Sequence, residues 1–207
     1  GSGPSVVSRR ELAFWKQQTG KPYGIYGVTV SEINPELHEL LSGADFIFTR
    51  ETHSLKNLKD AKVTSAHQDF APDATFAIDL TDDKKASAFQ QKHQLEPGNY
   101  LCAVPRLRYT PYHKIHKSSR WTKEKIAEVE SVNKQYQEQD HAKLRAAIIE
   151  WVRTSGQKAV VCPEMTYQTE IINPLVIDPL PADVKSKVVA HDEYWLPDEA
   201  GSLYRDA

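Results

Sequence analysis

The sequence predicts an α/β fold of Rossmann-like parallel sheets with flanking helices. Three observations predict it. Short apolar runs alternate with longer amphipathic, charged stretches along the chain, the pattern of parallel strands joined by crossover helices. The composition is that of a globular protein, with 40% hydrophobic and 26% charged residues among 207. The strongest break, Glu96-Pro97-Gly98-Asn99, divides the chain into a first Rossmann-like domain over 1–95 and a second over 96–207. The length sits between one large domain and two small ones.

Each element has its own reason. Residues 23–30 (YGIYGVTV) form a β-rich apolar run, read as a buried strand. Asn34-Pro35 opens a helix through Leu41, and Gly43 stops it. Residues 45–49 (DFIFT) give the next strand. Residues 51–60 place Leu55 and Leu58 three apart, as a short helix does. Residues 63–70 read as a third strand leading into a Pro72-Asp73 turn. Residues 82–94 form a polar helix with Ala86 and Phe89 inward.

The pattern then restarts. Residues 100–104 (YLCAV) form a strand and residues 122–154 a long helix, stopped by Gly156. Residues 158–162 (KAVVC) form a strand that turns at Pro163-Glu164. The three prolines of 174–181 predict a loop or an extended edge. The last helix begins at Pro197-Asp198-Glu199. Trp15, Trp151 and Trp195 sit on amphipathic stretches and are expected in the core.

The composition excludes several functions. Lys and Arg total 26 against 28 Asp and Glu, a net charge of −2. A general nucleic-acid binder would carry a basic excess. No apolar run reaches the ~18–20 residues that span a bilayer, and Gly1-Ser2-Gly3-Pro4 is no secretory signal. Cys102 and Cys162 do not make a disulfide framework, so a cytoplasmic setting is expected. Neither G-x-G-x-x-G nor G-x-x-x-x-G-K occurs.

Open α/β sheets bind ligands beyond the carboxyl ends of their strands. The candidates are therefore the residues that follow each apolar run. After the first stand Gly27, Thr29 and Ser31. After the second stand Arg50, Glu51, His53 and Ser54. Arg50 adds a planar cation to a helix start that already favours anions. Asp69 and Asp73 flank a turn they would stabilise.

Residues 105–116 (PRLRYTPYHKIH) hold the densest cluster, with Arg106, Arg108, His113 and His116 beside Tyr109 and Tyr112. Such a loop suits a phosphorylated small molecule. His113 and His116 have metal-like spacing but no Cys or carboxylate to match, so no metal is expected. Glu164 is placed for proton transfer or for a sugar hydroxyl. Cys102 and Cys162 read as buried structural thiols.

Several segments together resemble the polysaccharide pyruvyl transferase family. They are Gly24-Ile25-Tyr26-Gly27-Val28-Thr29, the Phe48-Thr49-Arg50-Glu51-x-x-Ser54-Leu55 junction and Ala71-Pro72-Asp73-Ala74-x-Phe76. Val104-Pro105-Arg106-Leu107-Arg108, Cys162-Pro163-Glu164-Met165 and the segment 194–200 (YWLPDEA) resemble its later blocks. The resemblance implies a two-domain arrangement like that of GT-B glycosyltransferases, with the second domain incomplete. It also implies pyruvyl transfer from phosphoenolpyruvate to sugar hydroxyls of a polysaccharide, such as an exopolysaccharide. Phosphoenolpyruvate is then a donor substrate, and no cofactor is needed.

The roles follow as expectations. Arg106 and Arg108 bind donor phosphate or carboxylate, with Arg50 as a further anion contact. Gly27, Thr29, Ser54 and His116 complete the substrate-binding set. His113 transfers a proton, and Glu164 serves the acceptor side or acts as base. Family members open with a further strand and continue beyond residue 207, so the chain is expected to be an internal fragment. An unfinished sheet edge permits self-association.

Two other readings use the same residues. One is a GT-B-type glycosyltransferase using a nucleotide-sugar. The other is a non-catalytic carbohydrate-binding or assembly module, with Tyr109, Tyr112, Tyr167 and Trp195 as a sugar platform.

Overall fold

The computed structural model describes residues 6–115 and 121–207. These residues fall into two compact units that divide between Ile78 and Asp79. Each holds a three-stranded parallel sheet with its strands in chain order. The α/β class read from the alternation is the observed one. The Glu96–Asn99 break is a turn inside the second unit.

The first unit runs α1 (Val6–Thr19), β1 (Gly24–Val28), α2 (Pro35–Ser42), β2 (Phe46–Thr49), α3 (Thr52–Asp60) and β3 (His67–Phe70). Local chemistry sets the helix ends. The Asn34 side chain accepts from Leu37 N–H and caps α2, with Pro35 in its first turn. Glu51 caps α3 by accepting from Ser54 N–H. Gly27 has φ +70 where the β1–β2 register slips, a bulge that favours glycine. Gly24 leaves room for the Phe46 ring across the sheet; a Cβ there would require that ring to shift.

The first sheet is one-sided. Ile25 and Ile47 face a core built with Leu37 and Leu41 of α2 and Leu58 of α3. Tyr26 and Phe46 alternate onto the opposite face and are exposed. Residues 23–30, read as a fully buried strand, are therefore half-buried. The aromatics on the open face are apolar, so the run never shows the alternation that marks a solvated face. Trp15 on α1 is also exposed, not in the core.

The second unit runs α4 (Asp83–His93), β4 (Tyr100–Ala103), α5 (Tyr112–Ile115), α6 (Lys123–Ser155), β5 (Lys158–Val161), α7 (Thr169–Ile171), α8 (Ala182–Lys185), β6 (Val188–Ala190) and α9 (Pro197–Arg205). Its sheet is covered on both faces. Ala103, Ala159 and Val161 pack against Ile148 and Val152 of α6. Tyr100, Val160 and Cys162 pack against Ala86 of α4 and Leu203 of α9, with Trp195 beside them. The Tyr100 hydroxyl ties the second layer together by donating to Leu203 O at 2.6 Å. Cys102 and Cys162 are both unpaired in disulfide terms. Hydrogen bonding to Cys162, with burial, pushes the Cys102 thiol up, so it stays protonated as a structural thiol does.

α6 spans 33 residues, about 50 Å at 1.5 Å per residue. Thr122 caps its start and Gly156 ends it in the left-handed region at φ 73. Two elements differ from expectation. Residues 174–181, expected as loop or extended edge, instead begin inside a π-helical turn, Ile172–Ile177. Pro174 lacks an N–H, and the wide turn still buries Ile172, Val176 and Ile177 against α6. β6 follows from a segment given no strand; its three residues pair with Ala159, Val160 and Val161. No described helix is long and apolar enough to cross a membrane.

Candidate active site

The carboxyl edge of the first sheet gathers Thr29, Arg50 and Asp73. Arg50 follows β2, and its Nε donates to Thr29 Oγ1 at 2.7 Å. Its Nη1 donates to Asp73 Oδ2 at 3.1 Å. Asp73 also accepts from Thr75 N–H at 3.0 Å, capping the short helical turn Ala74–Ala77. That backbone bond and the Arg50 guanidinium hold the Asp73 carboxyl below the usual carboxylate range. The expected turn role of Asp73 is what the geometry shows.

Ser54, expected to bind substrate, has 0% exposure. Its Oγ accepts from Val30 N–H at 2.6 Å and bonds the Glu51 carboxylate. Ser54 therefore ties the segment after β1 to the start of α3 and presents nothing to a ligand. The same bond lowers the Glu51 pKa. Gly27 serves the β1 bulge and turns an open surface to solvent.

The carboxyl edge of the second sheet is arranged differently. Arg106 follows β4 and Glu164 follows β5. Arg106 Nη1 meets Glu164 Oε2 at 3.4 Å, and both side chains are about half exposed. The strands are neighbours in register, Ala103 opposite Val161, so the two loops leave the sheet side by side. This is the pairing of an expected anion binder with an expected proton-transfer group.

The rest of the 104–115 loop is fastened to α6. Asn133 clamps Tyr109 through both backbone groups, at 2.9 and 2.8 Å. Arg108 makes a two-point bond to Asp140, at 3.1 and 2.6 Å, and its guanidinium lies 3.8 Å from the Tyr136 ring centre. The bond holds the Asp140 carboxyl below its usual range. Arg108 is therefore an anchor of the loop; its fork is already filled. His113 on α5 turns Nε2 to Glu130 at 3.4 Å and packs tilted against Trp121, while Nδ1 is buried without a partner among the described residues. Leu107, Pro111, Lys114, Glu130, Asn133 and Lys134 line a cleft of about 360 Å³ beneath this loop. His116 lies outside the described residues.

The aromatic set proposed as a sugar platform does not assemble. Tyr167 and Trp195 are 4% and 5% exposed, and Trp195 Nε1 donates to Pro163 O at 3.0 Å.

His191 was not singled out in the sequence. It follows β6, and its N–H donates to Val161 O at 2.9 Å. Its ring packs against both Trp195 and Phe89, and burial lowers the imidazole's pKa. The strand-end rule would have found it had β6 been recognised. Among the described residues, no three His, Cys, Asp or Glu side chains converge as a metal-ligand set.

No curated protein and no solved structure matches the chain. A family model described as polysaccharide pyruvyl transferase matches residues 2–207. The chain belongs to the polysaccharide pyruvyl transferase family.

Proposed function

We propose that the protein transfers the pyruvyl group of phosphoenolpyruvate to two hydroxyls of a sugar in a glycan acceptor, forming a pyruvate ketal. The observation that carries this reading is the Arg106–Glu164 pair, two half-exposed side chains on adjacent carboxyl strand ends. Family membership supplies the reaction class. The reading includes the cytoplasmic setting expected from the sequence.

The chemistry asks for a cation beside a proton-transfer group. The enol phosphate takes a proton at its methylene carbon, which becomes a methyl group. The adjacent carbon gains oxocarbenium character and is attacked by a sugar hydroxyl. The C–O bond to phosphate breaks, and a second hydroxyl closes the ketal. Two C–O bonds form for one C–O bond and one C=C π bond lost. Of the two hydroxyl protons, one balances the methyl group and the other leaves with phosphate. Arg106 faces the donor's phosphate or carboxylate and stabilises charge as phosphate departs. Glu164 removes a hydroxyl proton. His113, on the α5 helix that follows the Arg106 loop, is the second proton-transfer group. Arg108 and Ser54 brace the fold, and Arg50 keeps Thr29 and Asp73 together.

Phosphate release from phosphoenolpyruvate over a panel of glycan acceptors tests the reaction. The expected result is acceptor-dependent release, lowered about 10²–10⁴-fold by Glu164→Gln, the usual contribution of a general base. Thermal stabilisation by phosphoenolpyruvate and none by nucleotide-sugars is expected alongside. Consumption of a nucleotide-sugar with no phosphate release from phosphoenolpyruvate would reject the reading.

A further inference from the structure

Between β5 and the π-helical turn, the short helical turn Thr166–Gln168 hydrogen-bonds backbone of both loops that carry the Arg106–Glu164 pair. Gln168 has 0% exposure. Its Oε1 accepts from Glu164 N–H at 2.5 Å and from Met165 N–H at 2.7 Å. With Oε1 committed inward to that turn, Nε2 faces the other way, buried and without a partner among the described residues. A buried donor left unsatisfied is a cost to stability. The fold carries that cost at the residue that fixes the backbone of Glu164. The preceding residue, Tyr167, is also buried. Its hydroxyl oxygen accepts from Leu107 N–H at 3.4 Å, and Leu107 lies between Arg106 and Arg108.

We infer that Tyr167 and Gln168 are positioning residues for the proposed site, Gln168 aiming Glu164 and Tyr167 aiming the Arg106 loop. The inference rests on the reading in which Arg106 binds donor and Glu164 moves a proton. Both side chains are buried, and both act through backbone N–H groups of the loops that carry Arg106 and Glu164. Two backbone donors on one amide oxygen remove the freedom of the turn Cys162-Pro163-Glu164-Met165. That freedom decides whether the carboxylate meets a hydroxyl or points to solvent. Misplacement of about 1 Å is enough to cost roughly 10²-fold in rate.

The test is steady-state kinetics of acceptor-dependent phosphate release by the full protein, with melting temperature measured on every variant. Gln168→Met keeps the volume and removes the acceptor. It is expected to lower kcat roughly 10–100-fold with the donor KM within about threefold. Gln168→Glu restores an oxygen for both N–H groups and is expected to recover most of that loss. In a Glu164→Gln background, Gln168→Met should cost no more than about threefold further, because the group it aims is gone. Tyr167→Phe is a gentle change, expected to raise the donor KM about threefold to tenfold with kcat nearly kept.

Unchanged kinetics in Gln168→Met and Tyr167→Phe, with Glu164→Gln impaired, would overturn the positioning role and leave the proposed function standing. A full additive loss in the double variant would overturn it as well. A Glu164→Gln enzyme as active as the parent, or a parent that releases no phosphate with any acceptor, would overturn the reading beneath it. If Gln168→Met fails to fold, the Tyr167→Phe donor KM decides, and a KM equal to the parent's overturns the positioning role.

Discussion

Both sheets end their carboxyl edge in an arginine facing a carboxylate, and the two pairs are built differently. In the first unit Arg50 is held by Thr29 and Asp73, and Asp73 is in turn held by Thr75. In the second, Arg106 meets Glu164 at a looser 3.4 Å, with both side chains about half exposed. A guanidinium with two of its five N–H donors already held, as in Arg50, has less left for a ligand. One with an open fork beside an accessible carboxylate has a great deal. Position at a strand end is thus shared by a brace and by a candidate site, and the state of the hydrogen bonds separates them.

The largest expected effect breaks this comparison if it falls on the wrong arginine. Arg106→Ala should lower kcat/KM for the donor about 10²–10³-fold, the range seen when one preorganised charge-stabilising donor is removed. Arg50→Ala should change it by less than about threefold. Phosphate-release kinetics on the two variants decide; a reversed order would move the donor site to the first sheet.

Much of the comparison was legible in the sequence. Arg50, Arg106 and Glu164 all came from one rule, that the residue after a parallel strand matters. Ser54 came from the same rule and turned out to be buried, because its spacing from Glu51 also makes a helix cap. Capping and binding use the same residue types at the same place, so only the bonds tell them apart. Arg108 was equally ambiguous: its partners Asp140 and Tyr136 are more than a quarter of a hundred residues away in sequence and enter through the long helix. Tyr167 read as part of an exposed sugar platform and is buried instead; Gln168 left no signal, since a buried amide bonded to backbone has no pattern of its own. His191 was lost with β6, whose three residues are too few for a period. The open face of the first sheet was missed because Tyr26 and Phe46 read as core.

A smaller effect sharpens what a brace is. Ser54→Ala removes the acceptor of the buried Val30 N–H and the partner of Glu51. A buried donor left unpaired costs about 1–3 kcal/mol. Chemical denaturation should show that loss, while kcat of the folded protein stays within about twofold. A drop in kcat with stability unchanged would return Ser54 to the substrate-binding set.

The smallest expected effect concerns the first arginine pair itself. Asp73 is held below its ordinary range first by Thr75 N–H and then by Arg50. A carboxylate whose folded pKa is depressed stabilises the fold at pH above its unfolded value, about 3.9. That contribution fades as pH falls through the depressed folded value. Asp73→Asn keeps an oxygen for Thr75 and loses the charge facing Arg50. The variant should therefore lie slightly below the parent at neutral pH and converge on it as pH falls below about 4. The side chain is solvent-accessible, so the gap should also shrink with added salt. Denaturation midpoints of parent and variant, taken from pH 7 downward at two salt concentrations, make the check. A gap that stayed constant across pH and salt would mean that Asp73 acts only as a turn-former, and that the charge of Arg50 is free for an anion.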